Sequence, residues 1–382
     1  MQLIKANRDA ILRPLQIVAG IIERRHTQPI LANVLISREG TSVSLTGSDS
    51  EIQIRTTAEL AAPTASGSDP AEMTTTVGAR KLLDILRSMP DDAQVTVGHS
   101  ARKLSLAAGR SRFTLQTLGA ESYPTATLVE AGLVQFSLPQ AILKHLFNQV
   151  FYAMAQQDIR FYLNGLLVVV DGQNITVVAT DAHRLAVATS TCQSLSVEQS
   201  HCEVIIPRKA VIELQRLLAD TDELVSIEIA VNQARFRFID DKEAAIELVT
   251  KLVEGKFPDW RRVIPQNHQR QVTIERDSFT RALNRVAILT GEKFRAVQLK
   301  LSLGALQIQA QNSDHEEATD ELEVDYSDEE LEVGFKVSYL LDCLNNLKSE
   351  QVILHFGESG SSALLTVPGI DGFQYVVMPV RI

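Results

Sequence analysis

A chain of 382 residues, 45% of them hydrophobic, can bury cores for two or three domains at roughly 150 residues each. A net charge of −10 argues against a uniformly basic nucleic-acid binder, and a 5% aromatic share leaves the packing to Leu, Val, Ile and Ala. No apolar run approaches the roughly 18 residues that cross a bilayer, and Lys5, Arg8 and Asp9 stand where a signal peptide would be apolar, so a cytoplasmic protein is expected. Cys192, Cys202 and Cys343 form no CxxC pair and fit reduced structural thiols.

Along the chain, Ile11, Leu15 and Val18 recur at spacings of three and four, which predicts a helix with one buried face over 8–25. Strand-like stretches follow at 43–45 and 52–55. Residues 61–76 (AAPTASGSDPAEMTTT) predict a polar loop, and a second helix is expected over 79–88. The pattern then restarts near Ala131. Ile142, Leu146 and Val150 mark a helix over 139–157, with strands at 166–170 and 175–179 and a helix over 207–218. It restarts again near Gln269, with Phe279, Leu283 and Val286 in a helix over 276–293, strands at 297–303 and 306–310, and a helix over 336–348. An offset of 129 aligns Leu82, Val211 and Leu340, then Leu83, Ile212 and Leu341, then Asp84, Glu213 and Asp342. This is an internal repeat. It predicts three α+β domains, 1–131, 132–269 and 270–382, each with two helices and several antiparallel strands.

The charge is segregated. The six predicted helices carry +2, +2, +1, +2, +2 and +1, so the rest of the chain carries −20. A repeated basic helical surface suits sequence-independent contact with phosphates, and no zinc-finger or basic-zipper pattern points to base readout. Eleven acids fall between Asp314 and Glu332, either a solvated face or a partner for a basic edge.

Two clusters invite chemistry. Asp181 and His183 could pair as carboxylate and general base, but no nucleophile elbow or second acid accompanies them. Asp314-His315-Glu316-Glu317 has metal-binding residue types without a ligand spacing. No catalytic residue, metal or cofactor is therefore expected. A hydrolase built on Asp181 and His183, and an adaptor that binds only proteins, remain the rival readings.

In order along the chain, Gly109–Phe113, Arg160–Gly165, Ala179–Val187, Pro207–Lys209, Lys251–Asp259 and the closing Tyr375–Ile382 resemble the β subunit family of bacterial DNA polymerase III, the β sliding clamps. The resemblance implies two chains closed head to tail into a six-domain ring, with helices lining the hole and antiparallel sheets outside. It implies a non-catalytic processivity factor, loaded around duplex DNA by an ATP-dependent loader, that docks the replicative polymerase and other replication and repair proteins.

It also implies a peptide-binding pocket. One half comprises Leu163, Thr180, Ala182, His183, Arg184, Leu185, Pro258, Arg262 and Val263. The other comprises Arg160, Tyr162, Tyr339, Ser362, Val376, Met378, Pro379, Val380 and Arg381. Three departures stand out: Ala182 where the family often has Gly, Trp260 where Tyr is common, and Lys336 where Asn is usual. Arg25, Arg80, Gln157 and Lys209 are expected to contact DNA. The dimer is expected to join Lys81, Arg110, Arg112, Phe113 and Leu115 of one chain to Ile288, Leu289, Asp314, Glu316 and Glu317 of the other.

Overall fold

The structure, a computed structural model, describes residues 2–23, 27–59, 72–100, 102–127, 134–191, 201–242, 244–266, 268–291, 295–358 and 360–381. Among the described residues six α-helices recur in pairs: α1 (Arg8–Ala19), α2 (Ala79–Arg87), α3 (Gln140–Val150), α4 (Arg208–Leu217), α5 (Arg276–Val286) and α6 (Val337–Asn346). The predicted helices exist, but each is shorter than expected. α1 ends at Ala19, capped by Gly20, rather than at residue 25, while α3 and α5 each give way to a short 3₁₀ turn, at Phe151–Ala153 and Ala287–Leu289. The starts are set by capping. Asn7 accepts the Asp9 amide at 3.0 Å, and Glu275 accepts those of Asp277 and Ser278 at 3.0 and 2.6 Å.

The buried stripes follow the expected periods, with one correction. Ile11, Leu15 and Val18, and Phe279, Leu283 and Val286, are buried, but on α3 Ile142 is only half-buried and Leu143 and Phe147 fill the core beside Leu146 and Val150. In the aligned triplets Leu82, Val211 and Leu340 are buried, whereas Ile212 is exposed. The shorter helices also change the charge count. α1 to α6 carry +1, +2, +1, +2, +2 and −1, because Lys336 and Lys348 lie outside α6 and leave it only Asp342.

The loop expected over 61–76 needs a second correction. Residues 61–71 lie outside the described residues, but Glu72–Gly78 is a strand, paired from Asn33↔Gly78 to Glu39↔Glu72. Met73 to Val77 offer β-branched residues with a ladder waiting, which outweighs their polarity.

The chain forms two compact units, Met1–Lys144 with Ile212–Leu252, and His145–Val211 with Val253–Ile382. Each unit takes part of the central third of the repeat. The reason lies in the ladders. In the first unit Ile52–Glu59 pairs with Ala245–Lys251, which merges their strands into a twelve-stranded antiparallel sheet. In the second, Arg184–Thr191 pairs with Ile370–Val377 to make an eight-stranded sheet, beside a separate four-stranded one. Burying a sheet edge against another strand satisfies its amides and carbonyls, so the sheets continue across the repeat borders. Cys202 and Cys343 are free and buried, as reduced structural thiols should be; Cys192 lies outside the described residues.

Candidate functional site

Within the second unit a groove of about 270 Å³ opens above the eight-stranded sheet. Its floor follows from register. Leu185 stands opposite Val376, and beneath them pack Leu167, Val178, Ile205, Ile264 and Leu364. The final strand stops at Val377, but the backbone continues alongside the sheet: the Met378 amide donates to the His183 carbonyl at 2.9 Å. That bond sets Met378 at the rim, 41% exposed.

One wall is the turn from Thr180 to Arg184. The Asp181 carboxylate accepts the amides of His183 and Arg184 at 2.9 and 3.1 Å, and the Thr180 hydroxyl accepts the Ala182 amide at 3.1 Å and donates to the Arg184 carbonyl at 2.6 Å. These local bonds replace the ladder where the chain reverses. Ala182 is forced to φ 73°. An L-residue there costs about 1–2 kcal/mol, so the position favours glycine. Ala182→Gly is expected to stabilise the protein by about 1 kcal/mol, allowing for the greater unfolded-state entropy of glycine. A melting temperature a few degrees higher, with peptide binding unchanged, would show it.

Arg184 is the anchor of this wall. Its guanidinium donates to Asp181 at 3.2 Å, to Asp342 at 2.6 Å and to the Tyr152 carbonyl at 2.6 Å, and lies 4.4 Å from the centre of the Tyr339 ring. His183 stacks on the same ring, and the buried Tyr375 hydroxyl donates to the Tyr339 carbonyl at 2.8 Å. The Asp181 carboxylate is thus occupied by backbone amides and by Arg184. It does not orient the His183 imidazole as a catalytic dyad would.

A second wall is the 3₁₀ turn Phe161–Leu163. Arg160 grips Asp158 through two hydrogen bonds of 2.9 and 2.8 Å, which hold the Asp158 carboxyl down to about 2. Asn164 closes the loop by accepting the Asp158 amide and donating to its carbonyl. Gly165 follows because a Cβ there would meet Ile205 at 2.6 Å. The third wall is Phe257 to Val263, entered through Gly255 at φ 117°, against Tyr162.

Of the residues expected in the pocket, Arg160, Tyr162, Leu163, Thr180, Ala182, His183, Arg184, Leu185, Pro258, Val263, Val376 and Met378 line this groove. Phe257 and Trp260, which sequence reasoning left out, line it too. Arg262 points outward, its side chain 86% exposed and paired with Asp259. Tyr339 acts from behind, through His183 and Arg184. Ser362, Pro379 and Val380 are outside the lining, and Arg381 lines a different cavity with Ile288, Asp314 and Glu317.

Sequence models of the DNA polymerase III beta subunit match three stretches: the N-terminal domain at residues 1–127, the central domain at 137–259 and the C-terminal domain at 261–381. The chain belongs to the DNA polymerase III beta subunit family. Among its curated relatives, the beta sliding clamp of Pseudomonas putida is 44% identical over 375 residues, covering 98% of each chain, and that of Escherichia coli K12 is 41% identical with the same coverage. Among solved structures, the Pseudomonas aeruginosa clamp bound to griselimycin superposes with a TM-score of 0.91 at 42% identity over the whole of both chains. The Bartonella birtlesii clamp with the same ligand reaches 0.92 at 33%. This is a family of non-catalytic processivity factors, in keeping with the structural duty found for Asp181.

The remaining expected residues are placed as follows. Arg80 lies exposed on α2, 3.6 Å from Asp84. Gln157 is exposed at φ 56°, and Lys209 is half-buried in the first turn of α4. Arg25 lies outside the described residues. Lys81, Arg110, Arg112, Asp314, Glu316 and Glu317 are exposed, Ile288 is 78% exposed, and Phe113, Leu115 and Leu289 are half-buried.

Proposed function

We propose that the chain works as a sliding clamp in the cytoplasm: two copies close into a ring around duplex DNA and hold the replicative polymerase, its loader and other replication and repair proteins by short peptides. The observation that carries the reading is the groove. It is an open apolar slot of about 270 Å³, floored by Leu185 and Val376 and edged by Met378, the form expected of a site for an extended segment with apolar anchors. Met378 suits varied anchors because a thioether adapts its shape. Functional domains are proposed at 1–131, 132–269 and 270–382, the repeat units that would make up six around a ring.

DNA contact is assigned to Arg25, Arg80, Gln157 and Lys209 and is sequence-independent, so enclosure rather than affinity retains the ring. The test is topological. After loading, the protein should stay on a nicked circle at a salt concentration that abolishes direct binding, and leave once the circle is linearised. Direct binding should fall steeply with salt, as counterion release requires. Equal loss from circular and linear DNA would overturn the enclosure and favour a protein-only adaptor.

A further inference from the structure

Four acids near the groove have ionic partners. Asp158 pairs with Arg160, Asp259 with Arg262, and both Asp181 and Asp342 with Arg184. Two cations near the groove pair with no acid among the described residues, and both are held against aromatic rings that are part of its wall or support it. The Lys336 ammonium lies 4.6 Å from the centre of the Tyr339 ring, the ring that also supports Arg184 and His183. The Arg261 guanidinium lies 4.4 Å from the centre of the Trp260 ring, itself part of the groove wall. Arg261 is exposed and Lys336 half-buried.

A ring face orders a cation without neutralising it. Both charges are therefore held in place and, among the described residues, left without an acidic partner, near an apolar slot in a chain whose net charge is −10. A ligand that fills the slot with apolar side chains and carries carboxylates beside them would neutralise these charges; a ligand flanked by lysines would be repelled.

We infer that the groove selects peptides in which acidic residues flank the apolar anchors, with Lys336 and Arg261 as the specificity-determining cations. The inference rests on the docking reading above and adds the charge of the partner to it. The test uses two peptides with identical apolar anchors, one flanked by Glu and one by Gln, measured by calorimetry against the full-length protein and against K336Q/R261Q. The unsubstituted protein should bind the Glu peptide more tightly, by up to about fivefold for each cation at low salt, and the preference should shrink as salt rises. The K336Q/R261Q protein should bind both peptides alike, with the Gln peptide unaffected. The charge reversal K336E/R261E should favour the Gln peptide. Equal binding of both peptides to the unsubstituted protein would overturn the inference and leave the docking site standing. A Glu preference that survives in K336Q/R261Q would overturn the assignment to these residues. Failure of both peptides to bind the unsubstituted protein would remove the docking reading and this inference with it.

Discussion

Removing residues 378–382 is expected to abolish peptide docking while leaving a folded protein. The cut falls after Val377, so every ladder partner of the final strand survives, including Arg184↔Val377 and Leu185↔Val376. The buried Tyr375 also keeps its bond to the Tyr339 carbonyl. What disappears is one rim of the groove: the Met378 side chain, its backbone bond to the His183 carbonyl, and the bond from the Val380 amide to the Gly334 carbonyl. A Leu- or Phe-sized anchor contributes roughly 1.5–3 kcal/mol when buried. Two anchors, less the cost of ordering a flexible peptide, give micromolar affinity. Losing a wall that covers one anchor, together with the preorganisation of the turn, should cost about 3 kcal/mol, on the order of a hundredfold. That places binding beyond the reach of calorimetry at ordinary concentrations. A truncated protein that bound the peptide as well as the full chain would show that the groove is not the docking site.

The repeat and the helices were legible in the sequence because each has a local signature, whereas most of the groove was legible only through the motifs that resemble the β subunit family. Apolar spacings of three and four fixed the buried faces of α1 and α5, and the segment from Ala179 to Val187 encodes its own turn through Thr180 and Asp181. The misses share a cause: they depend on partners distant in sequence. Glu72–Gly78 reads as loop until the strand Asn33–Glu39 is beside it. The outer helix residues look helical by charge, but α6 ends before Lys348 and begins after Lys336, so its charge inverts. Phe257 and Trp260 gave one usable signal, bulky aromatics around Pro258 in a chain with a single Trp. Their role depends on Gly255 turning the segment towards Tyr162. Conversely, Arg262 and Arg381 sit in the right motifs and point elsewhere, because a motif places a backbone and not a long side chain. The ladders that draw the central third into two compact units pair residues nearly 200 apart, such as Ile54↔Leu248 and Ala186↔Tyr375. No local pattern reaches so far.

Leu289→Asp is expected to convert the dimer to monomers. Among the described residues, two strands at the expected seam carry open edges. Ser111–Leu118 pairs with Lys103–Ala108 over residues 111–116 but meets Glu72–Gly78 only at Thr76↔Leu118 and Val77↔Thr117, which leaves residues 111–116 free on one side among the described residues. Glu317–Glu323 ends the four-stranded sheet, paired only with Ala305–Gln311 among the described residues. Exposed edges of this kind invite another strand, and the proposed dimer joins them between chains. Lys81, Arg110 and Arg112 would then face Asp314, Glu316 and Glu317, but exposed ion pairs contribute only about 0–1 kcal/mol each. The apolar set must carry more: Phe113 and Leu115, half-buried in the isolated chain, against Leu289 and the 78% exposed Ile288. Replacing Leu289 with Asp removes about 2 kcal/mol of burial and places a carboxylate in the seam beside acids already there. A closed ring of two chains has two such seams, so the cost enters twice, about 4 kcal/mol or about a thousandfold in dimer Kd. Light scattering across dilution would read it, with peptide binding as the control for folding, since the groove lining does not include Leu289. A variant that stayed fully dimeric at nanomolar concentration would rule out this seam as the dimer interface.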